Sequence, residues 1–74
     1  MTQLPVVPGR DAVEALCQKG YEIDHQTDIH MILRRATEPG RRLTIPDHKE
    51  LAKGTLRAII REAGLTVEEF TALL

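Results

Sequence analysis

Residues 29–46 read IHMILRRATEPGRRLTIP, and the fold turns on how this stretch divides. Ile29, Met31 and Leu33 alternate with His30, Ile32 and Arg34, the two-residue period of a strand. Leu43 and Ile45 resume the alternation, so Arg41–Ile45 reads as the return strand. Pro39-Gly40 between them suits a type II turn, because proline presets the first central position and glycine accepts positive φ at the second. The product is a hairpin with one apolar face on which helices can sit. The other face sends His30, Arg34, Arg42 and Thr44 to solvent, and any chemistry is expected there.

Working outward, Tyr21–Gln26 reads as a first strand, with Tyr21, Ile23 and His25 on one face and Glu22, Asp24 and Gln26 on the other. Thr27-Asp28 is a short polar break, so this strand pairs antiparallel with the next. Upstream, residues 1–8 are an extended lead-in whose Val6 and Val7 cover the core edge. A helix from Gly9 to Lys19 follows, with Val13, Leu16 and Cys17 facing inward and Gly20 ending it. Pro8 occupies the cap position without a side-chain acceptor, and Asp11 compensates through the charge of the helix end. Downstream, Pro46 stops the third strand, and Asp47–Lys53 is a polar loop anchored by Leu51. A second helix runs from Thr55 to Ala63, with Leu56, Ile59, Ile60 and Ala63 on one face and Gly64 as terminator. Thr66 and Glu69 form a capping box for a last short helix carrying Val67, Phe70, Leu73 and Leu74. Residues 1–74 are thus expected to form one α+β domain of order α-β-β-β-α plus a short C-terminal helix. Its three-stranded antiparallel sheet carries the helices on one face.

The chain has 74 residues, 42% apolar and 28% charged, which is enough for one modest core. The single cysteine rules out an internal disulfide framework. With neither a secretory leader nor an 18-residue apolar run, a cytoplasmic location is expected. The net charge of −1 conceals an uneven distribution. Residues 30–61 hold eight Arg and Lys against three Asp and Glu, and acidic segments flank them on both sides. A central basic block of that density attracts a polyanion when the fold gathers it on one face.

No serine occurs, so serine nucleophile chemistry is excluded. His25, His30 and His48 lack metal-ligand spacing, and there is no glycine-rich phosphate loop; neither metal nor cofactor is expected. His30 is the candidate catalytic residue. An imidazole can exchange a proton with a ribose 2′-hydroxyl or a leaving 5′-oxygen, while cations hold the phosphate. Arg34, Arg42, Lys49, Lys53 and Arg57 are the candidate phosphate contacts, and His48 organises the loop or touches RNA. Tyr21 and Phe70 are the only aromatic residues, which disfavours a base-stacking sheet.

Three segments carry a family resemblance: LPVVPGRDAVEALCQKGYEI, HQTDIHMILRR and RRLTIPDHKELAKGTLRAIIREAGLTVEEF. Together they resemble the HicA toxins, small mRNA interferases of toxin–antitoxin pairs. The resemblance implies a double-stranded-RNA-binding-like fold, ribosome-independent RNA cleavage by a strand histidine at His30, a second characteristic histidine at His48, and neutralisation by a HicB-like antitoxin. The sequence departs from the family pattern at Asp28-Ile29, where Gly-Ser precedes the histidine, and at Pro8, where a serine cap is usual. The alternative reading is therefore a catalytically weakened or inactive RNA-binding or antitoxin-binding domain of the same fold.

Overall fold

The computed structural model describes residues 4–35 and 37–74, with the side chains of residues 38–41 outside that description. Its elements are α1 (Gly9–Cys17), β1 (Tyr21–Gln26), β2 (His30–Arg35), β3 (Glu38–Pro46), α2 (Lys53–Glu62) and α3 (Val67–Thr71). The strands form one antiparallel sheet in the order β1-β2-β3. This is the expected two-layer α+β architecture, and it is consistent with a double-stranded-RNA-binding-like fold.

The core lies between the sheet and its helices. Met31 and Leu33 of β2 and Leu43 and Ile45 of β3 are buried against Ala12, Val13, Ala15 and Leu16 of α1 and Leu56, Ile59 and Ile60 of α2. Alternation along β2 then leaves His30, Ile32 and Arg34 on the open face. Phe70 is 0% exposed and pins α3, whose capping box is present in both directions, with Thr66 Oγ1 accepting from the Glu69 amide at 3.1 Å and Glu69 Oε1 accepting from the Thr66 amide at 2.9 Å. Glycines end the two longer helices as expected, Gly20 at φ 92° and Gly64 at φ 77°.

Several expectations need correction. Pro39 and Gly40 lie inside β3 and do not form the hairpin turn; the chain reverses between Arg35 and Glu38, which pair. The register shifts between the Arg34–Arg42 and Arg35–Glu38 pairs, leaving residues 39–41 unmatched on an edge strand. A bulge there accommodates a proline that cannot donate to the ladder. Ile29 is 62% exposed because β2 begins one residue later, after a tight link in which the Thr27 amide donates to the His30 carbonyl at 2.8 Å. Ile23 is 51% exposed, for it sits on the uncovered edge strand beside the irregularity between Ile23 and His25.

On α1 the buried stripe runs through Ala12, Val13, Ala15 and Leu16, one position short of Cys17, which is exposed. Val6 and Leu74 are also exposed, whereas Val7 and Leu51 are buried. The helices differ from expectation only at their ends, α1 stopping at Cys17 and α2 starting at Lys53.

Candidate functional site

His30 opens β2 on the uncovered face and is partly exposed. Its backbone is fixed on both sides. The His30 amide donates to Thr27 Oγ1 at 3.0 Å, and on the other strand His30 pairs with Pro46. Beyond Pro46 the chain enters the loop 47–52, and the Asp47 amide donates to the Ile29 carbonyl at 2.9 Å. His48 and Lys49 therefore leave the sheet at the same end at which His30 enters it.

The lead-in segment braces that loop. The Gly9 amide donates to the His48 carbonyl at 2.8 Å, and the Leu51 amide to the Val7 carbonyl at 2.9 Å. Gly9 is the first residue of α1, so its amide is one of the orphan donors of a helix start, and Pro8 offers it no side-chain cap. The carbonyl of His48 fills that role. Arg10 Nε adds an ion pair to Asp47 Oδ1 at 3.3 Å. Pro8, Arg10, Asp47, His48 and Lys49 line a small open pocket.

The arginines expected on the open face with His30 share that face but lie further along it. Arg34 lies four residues along β2, about 13 Å away at strand spacing, and Arg42 is its cross-strand partner. Both are engaged by acids of β1. Arg34 donates to Glu22 Oε1 at 2.9 Å, and Arg42 Nε stands 3.3 Å from Asp24 Oδ2, whose other oxygen is 4.0 Å from Arg34 Nε. Glu22 faces Arg34 through the β1–β2 register, whereas the strand irregularity brings Asp24 into reach of both arginines. Sequence reasoning placed Glu22 and Asp24 together on one strand face, but it did not join that face to the arginines. The signal was the two-residue period of β1 counted from the inward Tyr21.

Lys53 and Arg57 lie exposed on α2, at its first and fifth residues, with Arg61 one turn further along. Arg61, four residues beyond Arg57, is likewise exposed. His25 is exposed on β1 opposite Ile32. Among the described residues no three His, Cys, Asp or Glu side chains gather as a cation site requires. No helix among them is long and apolar enough to cross a membrane.

This end of the sheet thus holds a partly exposed imidazole and a clamped loop bearing a second histidine and Lys49, with Lys53 following in the chain at the start of α2. Such a set can move protons and hold an anion. A family model described as the HicA toxin of bacterial toxin-antitoxin matches residues 9–65, from the start of α1 to just past α2. A search of curated proteins finds no match. The matched span is well over half of the chain and includes the whole sheet, His30 and the loop of His48; the chain belongs to the HicA toxin family of bacterial toxin–antitoxin systems.

Proposed function

We propose that this toxin-family chain is a metal-independent endoribonuclease that cleaves mRNA in the cytoplasm through His30 and is neutralised by a cognate HicB-like antitoxin. One placement supports the reading best. His30 stands on the open face at the sheet end where the backbone brings in the loop of His48 and Lys49. The 2′-hydroxyl of the substrate attacks the neighbouring phosphorus and gives up its proton as the P–O5′ bond breaks. The departing O5′ takes a proton, so the products are a 2′,3′-cyclic phosphate and a 5′-hydroxyl. His30 carries out one of these transfers as general acid or base, and His48 organises the loop or contacts the RNA. Lys49 and Lys53 offset the charge that develops on phosphate. Arg57 extends the contact along α2, while Arg34 and Arg42 join only when phosphate displaces Glu22 and Asp24.

End-group analysis of a purified RNA digested with and without chelator tests this chemistry. Cyclic phosphate ends that form equally with chelator present are expected. Metal-dependent 3′-hydroxyl ends would contradict it.

A second reading is an RNA-binding or antitoxin-binding domain without catalysis. The engagement of Arg34 and Arg42 by carboxylates favours it, as does Asp28 two residues before His30. RNA retention with no product at high protein concentration distinguishes the two.

A further inference from the structure

Glu22 and Asp24 occupy Arg34 and Arg42 of the sheet, whereas a run of cations on the helical layer has no acid pair among the described residues. On α2, Lys53, Arg57 and Arg61 follow one another at four-residue spacing, all three exposed. Residues four apart lie on one helix face, so the three cations form a stripe about 12 Å long with steps of about 6 Å. Arg57 and Arg61 border the same shallow groove where α2 meets the segment before α3, which confirms that they face one way. Glu62 is the only acidic residue of the helix, at its last position. No ion pair between a described carboxylate and any of the three is present.

We infer that this stripe is a backbone-tracking site for single-stranded RNA, in which Arg57 and Arg61 contact successive phosphates beyond the one that Lys53 meets at the start of α2. The inference rests on the RNA-cleavage reading and adds to it the surface by which substrate is held. Long, exposed cations at regular spacing match a phosphodiester chain, whose charges recur at a comparable interval. They present no aromatic anchor of the kind that dominates protein interfaces, and lysine is depleted there. Binding through phosphates alone carries no base preference, so the stripe sets affinity and register but not cleavage specificity. Lys53 opens α2 directly after the loop 47–52, so a strand held along α2 can continue toward that loop.

The test is binding of a labelled 2′-O-methyl RNA oligonucleotide, which lacks the attacking hydroxyl, measured by fluorescence anisotropy over a range of salt concentrations. Full-length wild type is compared with Lys53→Gln/Arg57→Gln/Arg61→Gln, chosen to keep the helix, with thermal melts to verify folding. The slope of log affinity against log salt is expected to shrink by about 2 in the triple variant, since each single-strand phosphate contact contributes about 0.7. The single Arg61→Gln variant should account for about a third of that change. An unchanged slope and affinity in a folded triple variant would overturn the stripe, whatever the fate of cleavage. Polyglutamate bound through these three residues while RNA binding stays unaltered would overturn it in favour of an acidic protein partner. Cleavage by wild type is read separately, so a failed nuclease assay and a failed stripe are distinguishable.

Discussion

The amide of Asp47 donates to the carbonyl of Ile29 at 2.9 Å, and this bond sets His48 beside the strand that begins with His30. The loop is held from the other side by Gly9, whose amide reaches the carbonyl of His48 at 2.8 Å. A Cβ built on Gly9 would overlap the Pro46 carbonyl oxygen and come within 3.1 Å of its carbon, both backbone atoms. The Gly9→Ala variant gains up to about 1 kcal/mol of helix propensity, but the clash forces the loop and helix apart. A net loss of about 2 kcal/mol is expected from overpacking, read as a lower urea midpoint.

Glu22 and Asp24 hold Arg34 and Arg42 in ion pairs that are partly exposed to solvent. Such pairs contribute roughly 0–1 kcal/mol, so Glu22→Gln/Asp24→Asn should change stability little. Binding is where the effect appears, because the change frees two guanidinium groups and removes two negative charges from the open face. RNA affinity at low salt is expected to rise several-fold, and the gain should fade as salt increases. Equal affinities for wild type and variant at low salt would show that the arginines do not meet RNA.

Tyr21 is buried against the core with Arg35 5.4 Å from the centre of its ring, yet its hydroxyl has no hydrogen-bond partner among the described residues. An unsatisfied buried hydroxyl costs free energy, whereas the ring contributes burial and a cation–π contact. Tyr21→Phe keeps the ring and deletes the hydroxyl. Stability should hold or rise by about 1 kcal/mol in thermal or chemical unfolding. A clear loss would mean that the hydroxyl is satisfied in solution.

Cys17 is exposed, but burial of its thiol, followed by the charges of Glu14 and Glu22, pushes its pKa above the ordinary value. A raised pKa means less thiolate at a given pH, and thiolate is the species that is alkylated. Iodoacetamide should therefore modify Cys17 more slowly than free cysteine at mildly alkaline pH, with the gap closing as pH rises through the shifted pKa. Glu14→Gln should narrow it. Alkylation as fast as that of free cysteine would contradict the assignment.

The elements with a clear period were legible in the sequence. The Met31–Leu33 and Leu43–Ile45 alternations, the Leu56–Ile60 stripe and the Thr66–Glu69 box all sit where their local chemistry put them. What eluded it depends on pairing between distant segments. Pro39-Gly40 has the local chemistry of a turn, but pairing of Arg35 with Glu38 moves the reversal earlier and makes the dipeptide part of a bulge. Cys17 and Ile23 are apolar by type, and only the limits of helix coverage at the sheet edge decide that they face outward. At the site, His30 was correctly placed on the open face. Arg34 and Arg42 share that face, but their engagement by Glu22 and Asp24 was not legible, because spacing along one strand does not reveal an acid on the next.

Proton transfer by His30 in RNA cleavage is tested by the single-turnover rate of His30→Ala against wild type on one purified RNA. The variant should melt within a few degrees of wild type and bind the 2′-O-methyl oligonucleotide with similar affinity. Its cleavage rate is expected to fall by about 10²-fold or more, the scale of a lost general acid or base. A folded variant that cleaves at the wild-type rate would remove His30 from the chemistry.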